Sequence, residues 1–149
     1  GQKLSSQCTS LKALSSGTRC AVYRQGWLAM DNYDEQRPVL RQNLTATKSW
    51  WIQDESGVPV PHSGAGVNML FYDFSSLAAR KFYQESVIRP LTEDANVDAV
   101  FFDDMPGVCC NSEHSIPSHY TREQALAMCD GTLANLLYLL HPYSSHRQL

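Results

Sequence analysis

The predicted fold depends first on the segment Val97-Asp98-Ala99-Val100-Phe101-Phe102-Asp103, which Asp104 follows directly. Its middle residues are apolar and do not alternate with polar ones, which is typical of a strand covered on both faces, as in a parallel sheet. Two carboxylates then precede the loop Met105-Pro106-Gly107. The segment therefore predicts a buried strand that brings acidic side chains to the carboxyl edge of a sheet.

Two earlier segments have the same apolar character, at 20–23 and at 67–73. Between the second and third strands, Ser75 or Ser76 can cap a helix that Pro90 would stop. Apolar residues recur there at helical spacing, namely Leu77, Ala78, Phe82, Val87 and Ile88. Strand, helix and strand in succession predict a βαβ unit with a right-handed crossover.

The clearest helix comes last, where Thr121 and Gln124 form a capping box. One apolar stripe follows, made of Ala125, Met128, Cys129, Leu133, Leu136, Leu137 and Leu140. Gly131 is expected to weaken this helix by about 1 kcal/mol relative to alanine, and His141-Pro142 to end it. A further helix is indicated over 6–14.

Two other segments are predicted as non-helical. Asp54 and Gly57 occupy favoured positions of a turn between two short extended pieces, and 62–66 is expected to be a flexible loop. The fold class predicted is α/β, as a single domain over 1–149 with about three parallel strands and two to three helices. Because three strands form a small core, the pattern predicts an incomplete (β/α) barrel, since a whole one takes about 250 residues.

Composition excludes several classes of protein. The chain of 149 residues is 43% hydrophobic and 18% charged, which is ordinary for a globular domain. Its 15 acidic and 12 basic side chains supply no basic stripe, so nucleic acid is not expected as a partner. No apolar run approaches the roughly 20 residues of a membrane span, and the first ten residues lack the apolar core of a signal peptide. We therefore expect no membrane partner, and the sequence leaves the oligomeric state open.

Five cysteines are too few for a disulfide scaffold, and no CxxC pair occurs. The segment from Cys109 to His119 contains cysteines and histidines that would suit zinc, but their spacing matches no standard metal site. An ordinary loop, or a disulfide from Cys109 or Cys110 to another cysteine, is the preferred interpretation, with no metal and no cofactor. The sequence also carries a glycosylation sequon at 43–45, and its Trp and Tyr content favours the secretory pathway.

Candidate site residues follow from the rule that α/β proteins bind ligands at the carboxyl ends of their strands. That rule selects Arg24 with Gln25, Asp73, and Asp103 with Asp104. Side chains alternate along a strand, so Asp103 shares a face with Ala99, whose small size suits the interior of a barrel. We therefore assign Asp103 to the pocket, whereas Asp73 is first expected to order a turn or cap a helix.

Aromatic residues lie near the predicted strand ends, and flat rings pack well against the apolar C–H faces of sugars. Tyr23, Trp51 and Tyr72 are therefore candidates for substrate contact. Trp50 and Trp51 are adjacent, and at least one of the two is expected in the core.

The central 85 residues resemble the glycoside hydrolases of the TIM-barrel type related to the polygalactosaminidase-like group. The matching motifs are Tyr23-Arg24-Gln25, the segment from Trp51 to Pro59, Asp73-Phe74-Ser75-Ser76 leading to Arg80, and Asp98-Ala99-Val100-Phe101-Phe102-Asp103. The resemblance implies a carbohydrate substrate, with Asp103 as a catalytic carboxylate acting as nucleophile or base. The expected substrate contacts are Asp73, Asp104, Tyr23, Arg24, Trp51 and Tyr72.

Two alternatives stay open. Glycoside cleavage needs two carboxylates, and the second is not identified here, so a non-catalytic carbohydrate-binding domain is the first alternative. A metal-dependent polysaccharide deacetylase is the second, because Phe102-Asp103-Asp104 is similar to a strand end of that family and His114 and His119 to its paired histidines. The histidines stand at i, i+5, however, whereas that family has i, i+4.

Overall fold

The structure is a computed structural model, and it describes residues 2–15, 17–42, 44–64, 67–104 and 116–146. Its helices and strands are, in chain order, α1 (Gln2–Leu14), β1 (Ala21–Gln25), β2 (Leu28–Met30), α2 (Arg37–Gln42), β3 (Pro61–Gly64), β4 (Val67–Phe71), α3 (Leu77–Phe82), α4 (Arg89–Thr92), β5 (Ala99–Asp103) and α5 (Arg122–His146). Helix α1 confirms the helix that the sequence indicated over 6–14.

The strands form two sheets, which makes the fold a mixed α/β one. Strands β1 and β5 pair in parallel, from Ala21 opposite Ala99 to Gln25 opposite Asp103. Strands β2, β4 and β3 form an antiparallel sheet with β4 in the centre. All three predicted strands are therefore present, but only two of them are parallel, and the described residues form no closed barrel.

The antiparallel sheet corrects two expectations. The segment 62–64 was expected in a flexible loop, but it belongs to β3 and pairs with β4; residues 65 and 66 lie outside the described part. Because β4 has antiparallel partners on both sides, it does not lie beside β5, and the predicted βαβ unit of β4, helix and β5 is not formed. The turn at Asp54 is confirmed, since its carboxylate accepts the N–H groups of Ser56 and Val58 at 2.8 and 2.9 Å and Gly57 has φ +73°.

The helical segment from α3 to α4 begins as the sequence predicts, because the Ser76 hydroxyl accepts the N–H of Ala79 at its start. It does not stop at Pro90. A π-helical turn over Tyr83–Ile88 intervenes, and Pro90 then occupies the first turn of α4, where its missing N–H has little cost. At the start of this segment Leu77 is 71% exposed, whereas Ala79, Tyr83 and Val87, which follow one another at steps of four residues, are buried.

Helix α5 starts with the predicted capping box. The Thr121 hydroxyl accepts the N–H of Gln124 at 3.2 Å, and the Gln124 side chain accepts the N–H of Thr121 at 2.7 Å. The predicted end at Pro142 is wrong, because the helix continues to His146. Proline removes a single backbone hydrogen bond from a helix that is otherwise intact.

Gly131 is the point at which α5 contacts the turn after β4. A Cβ built on Gly131 would lie 1.8 Å from the backbone oxygen of Phe74 and 3.0 Å from its Cβ. Only a residue without a side chain allows the two backbones to approach so closely. The glycine that sequence reasoning treats as a weak point of the helix is therefore what lets the helix pack there.

Two hydrophobic clusters stabilise the fold. The larger one lies around the antiparallel sheet and contains Trp27, Trp51, Tyr72, Phe74 and Tyr83. The smaller one lies beneath β1 and is made of Cys8, Cys20, Val22 and Leu91. Cys8 and Cys20 form a disulfide that ties α1 to the start of β1.

Asp98, directly before β5, also connects α1 to the segment that leads into β1. Its carboxylate accepts the N–H of Cys20 at 2.7 Å and pairs with Lys12 at 2.8 Å and Arg19 at 3.3 Å. The hydrogen bond from Lys12, followed by that from the Cys20 N–H, lowers the pKa of Asp98 from 3.8 to about 2. Helix α1 and both parallel strands therefore share one ionised group.

Replacing Gly131 by alanine is expected to destabilise the protein by about 1–3 kcal/mol, because the new methyl group overpacks against Phe74. Equilibrium denaturation in urea measures the difference. Gly17→Ala is the control, since nothing lies within 4 Å of a Cβ at that glycine. Equal midpoints for the two variants would contradict the close approach.

The ion pairs of Asp98 should make the stability of the protein depend on pH in the acid range. Because the pKa of Asp98 is lower in the folded protein, about 2 against 3.8, its stabilisation is present above pH 3.8 and disappears as the pH falls toward 2. The variant Asp98→Asn should therefore lose stability at neutral pH and depend less on pH between these two values. Thermal unfolding as a function of pH tests this, with Asp130→Asn, exposed on α5, as the control that keeps the wild-type slope.

Candidate functional site

The open face of the parallel sheet is the candidate site, and it is formed by alternate residues of β1 and β5. The face consists of three directly opposed pairs, Ala21 with Ala99, Tyr23 with Phe101 and Gln25 with Asp103. Tyr23 is 44% exposed and Phe101 59% exposed. We call this set the β1–β5 face.

The opposite face of the same sheet is covered. Val22 and Val100 pack into the smaller hydrophobic cluster and Phe102 against the larger one. The alternation predicted for β5 is therefore confirmed, because Asp103 lies with Ala99 and Phe101 and away from Phe102. The apolar run that suggested burial on both sides leaves one side open among the described residues.

The side chains of the β1–β5 face change from small to aromatic to polar along the strands. Two alanines lie at the amino end, two aromatic rings follow with centroids 5.9 Å apart, and a glutamine and an aspartate lie at the carboxyl end. The polar end of the face is the end at which α/β proteins bind their ligands. The rings thus lead directly to the carboxylate of Asp103.

Hydrogen bonds fix both oxygens of the Asp103 carboxylate. The Tyr23 hydroxyl donates to Oδ2 at 2.8 Å, and the backbone N–H of Asp104 donates to Oδ1 at 2.9 Å. The Tyr23 oxygen in turn accepts the Nε2–H of Gln25 at 2.7 Å. The result is a short chain of donors, from Gln25 through Tyr23, that ends on Asp103.

Tyr23 keeps its proton over the whole physiological range. Burial, followed by the hydrogen bond to Asp103 and the negative charge of that residue, raises the pKa of Tyr23 to about 12. A protonated phenol can donate, and an ionised carboxylate only accepts. In the observed contact Tyr23 is therefore the donor and Asp103 the acceptor.

Asp104 continues the chain from β5 in an unusual backbone conformation. Its φ is +56°, the left-handed region, which aspartate adopts more readily than most side chains. This conformation accompanies the short contact between its N–H and the Asp103 carboxylate. Asp104 is exposed, and the loop Met105-Pro106-Gly107 that was expected to follow it lies outside the described residues.

Arg24 was expected near the substrate, but it projects from the opposite face of β1. Its side chain is 2% exposed and pairs with Glu35 at 3.0 Å, with the guanidinium 4.7 Å from the ring centroid of Tyr33. Its Nη1 donates to the backbone oxygen of Tyr23 at 3.0 Å. The structure thus gives Arg24 a packing role and puts Gln25 in the position next to Asp103.

Trp51 and Tyr72, the other two predicted aromatic contacts, are both 0% exposed. The Trp51 indole donates to the Thr47 hydroxyl at 3.1 Å. Tyr72 stacks on Phe74 with ring centroids 5.1 Å apart and planes 10° apart. Neither ring reaches a surface where a sugar could lie, which fits the expectation that one of the adjacent tryptophans is structural.

Asp73 orders the turn that precedes α3, as first expected. Its Oδ1 accepts the N–H and the hydroxyl of Ser75 at 2.9 and 2.5 Å, while its own N–H donates to the backbone oxygen of Trp50. Asp73 follows β4, in the antiparallel sheet, and Asp103 ends β5, in the parallel one. The structure therefore brings Tyr23, Asp103 and Asp104 together, and leaves Asp73 outside the β1–β5 face.

Phe101 is the large side chain of the β1–β5 face that was not chosen as a candidate, and Gln25 was selected at its strand end without an assigned role. A signal for both was present in the period-two alternation of the strands. Counting in twos from Tyr23 selects Gln25 and excludes Arg24, and counting back from Asp103 selects Phe101.

Within the described part of the chain, no group of three histidine, cysteine or acidic side chains is placed to hold a metal ion. His119 contacts the ring of Tyr120. Cys109, Cys110, His114 and the sequon residue Asn43 lie outside the described residues. Cys129 is disulfide-bonded.

A concave surface lies on the antiparallel sheet. It has a volume of about 570 Å³ and is lined mainly by apolar side chains, among them Leu40, Val58 and Met69, together with His62 and Asn68. No member of the β1–β5 face contributes to it. Its lining lacks the carboxylate and the exposed aromatic pair that distinguish the β1–β5 face.

The sequence matches no model of a protein family, and no curated protein is significantly similar to it. No described helix is long and apolar enough to cross a bilayer. The resemblance to barrel glycoside hydrolases therefore stays a prediction, and the function has to be argued from the site.

Proposed function

We propose that the β1–β5 face is part of the inner wall of a (β/α) barrel. In such barrels interior side chains alternate along parallel strands and stack in layers, and the functional site lies at the carboxyl ends of the strands. The three opposed pairs of this face support that arrangement, because alanines, aromatic rings and polar groups form successive layers.

We infer that the protein acts as a glycoside hydrolase on a polysaccharide or glycoconjugate. The observation that carries this proposal is the carboxyl group of Asp103, held at the carboxyl end of β5 by the Tyr23 hydroxyl at 2.8 Å. A carboxyl group on an open face is the group that supplies a nucleophile or general base in glycoside cleavage. The rings of Tyr23 and Phe101 offer apolar surface to the C–H face of a sugar.

Hydrolysis also requires a second carboxyl group that protonates the leaving oxygen. Among the described residues, Asp103 makes its hydrogen bonds with Tyr23 and the backbone of Asp104. Within the part of the chain that the structure describes, no second carboxyl group that could act as the acid makes a hydrogen bond with Asp103. Either glycosidase geometry is compatible with this, because the two carboxyl groups lie about 5–5.5 Å apart in retaining enzymes and about 6.5–9.5 Å apart in inverting ones.

The same observation favours a second candidate function, carbohydrate binding without turnover. A platform of two exposed rings beside a fixed carboxylate and an amide can bind a sugar through ring contacts and hydrogen bonds to its hydroxyl groups. In this function Asp103 accepts hydrogen bonds from the sugar and no bond is broken. The two candidates therefore share one surface and differ only in turnover.

Disulfide bonding supports an extracytoplasmic setting for either function. Cys8 is bonded to Cys20, and Cys129 is also bonded. Structural disulfides persist in oxidising compartments such as the secretory pathway and are rare in the cytosol. Secretion would bring the β1–β5 face into contact with extracellular glycans.

The decisive experiment compares Asp103→Asn with the wild type in the intact protein on a panel of polysaccharides. Hydrolysis is expected to fall by at least about 10²-fold, because an amide can act neither as nucleophile nor as base. Asp130→Asn, a substitution of the same kind on the exposed surface of α5, should retain full activity. Circular dichroism and thermal unfolding should show both variants folded.

Two results would contradict the hydrolase. Unchanged turnover in Asp103→Asn would remove that residue from the reaction. Glycan binding without any turnover in the wild type, weakened when Tyr23 or Phe101 is replaced by alanine, would establish the binding function instead. A protein that neither binds nor cleaves any glycan would overturn both candidates.

A further inference from the structure

The contact between Tyr23 and Asp103 has a defined direction. The Gln25 Nε2 atom can only donate, so the Tyr23 oxygen accepts from it at 2.7 Å through a lone pair. The single hydroxyl proton of Tyr23 is then left for Asp103 Oδ2 at 2.8 Å. Gln25 thus determines which way the phenol donates.

The carboxylate of Asp103 is held at both oxygens by groups with little freedom to move. The donor to Oδ1 is the backbone N–H of Asp104 at 2.9 Å. The donor to Oδ2 belongs to a ring that packs against Phe101, with centroids 5.9 Å apart. Two fixed donors on two oxygens set the plane of the carboxylate, which determines the direction in which its free lone pairs point.

The backbone of Asp103 is fixed as well, because its carbonyl oxygen accepts the N–H of Gly26 at 2.7 Å. Neither strand can slide without breaking this bond. The only remaining freedom of the carboxylate is rotation about its side-chain bonds, and the Tyr23 hydroxyl opposes that rotation.

We propose that Tyr23 is a positioning residue that holds the Asp103 carboxylate in its reactive orientation, with its own proton directed by Gln25. This inference rests on the proposed hydrolase for its effect on turnover, but the contact itself is testable without activity. It differs from the expectation that Tyr23 binds substrate, because here the hydroxyl acts on the protein's own carboxylate.

The test uses Tyr23→Phe, which keeps the ring and its packing on Phe101 and removes only the hydroxyl. We expect kcat to fall by at least about 10-fold with KM changed much less, since a hydrogen bond to a charged group is lost. The pH dependence of kcat is recorded for both proteins, since a merely structural role of the hydroxyl would leave it unchanged. Tyr138→Phe is the matched control, since its hydroxyl contacts Arg89 on the helices.

A second measurement needs no substrate. Carbon-13 labelling of the tyrosine ring follows the titration of Tyr23, whose pKa the neighbouring Asp103 helps to raise to about 12. The variant Asp103→Asn should lower this midpoint toward the ordinary value of 10.0, whereas Asp130→Asn should leave it unchanged. Gln25→Ala is expected to weaken the contact and produce a smaller loss of kcat than Tyr23→Phe.

The outcomes separate the two proposals. If wild-type protein cleaves glycans and Tyr23→Phe has unaltered kcat and pH profile, the positioning role is overturned while the hydrolase stands. If no glycan is cleaved, the proposed hydrolase activity is overturned, and the contact between Tyr23 and Asp103 is then tested by the tyrosine titration alone. A lower titration midpoint of Tyr23 in Asp103→Asn supports the contact, and an unchanged midpoint overturns it. If Tyr23→Phe raises KM and leaves kcat unchanged, the positioning role is overturned, and Tyr23 contacts the substrate directly.

Discussion

In-register parallel pairing of β1 with β5 is the constraint on which the proposed site depends. Hydrogen bonds lock the register at both ends: Cys20 and Asp98 exchange bonds at the amino end, and Gly26 donates to the Asp103 carbonyl oxygen at the carboxyl end. A slip by one residue would turn every side chain of a strand to the other face. Asp103 would then lie among the helices, and the Tyr23 hydroxyl would have no carboxylate beside it.

Local features of the sequence predicted a large part of the fold. The three apolar strands, the caps at Ser76 and Thr121 and the turn at Asp54 all depend on residues a few positions apart, which a single sequence displays directly. The face assigned to Asp103 also came from local alternation. These elements could be predicted because their causes lie within one turn or one strand.

Long-range features could not be predicted in the same way. Strand β3 has the sequence Pro61 to Gly64, which shows no apolar alternation, so the antiparallel partner of β4 had no local signal. The burial of Trp51 and Tyr72 results from packing between distant segments, and an aromatic ring near a strand end is equally compatible with a core or a surface. On α5 the buried polar residues Thr132 and Asn135 likewise depend on what the helix meets, which its own periodicity does not reveal.

The π-helical turn of Tyr83–Ile88 gives the fold an asymmetric tolerance to insertions and deletions. Its Tyr83 hydroxyl donates to the Gln25 backbone oxygen at 2.9 Å. A π-helical turn closes i→i+5 hydrogen bonds and so holds one residue more than an α-helical turn. Removing one residue from it would restore ordinary helical spacing and leave the flanking helical segments nearly in place, whereas adding a further residue would carry Val87 and Ile88 out of the core. Descendants of this gene should therefore lose a residue between Ser76 and Pro90 more readily than they gain one.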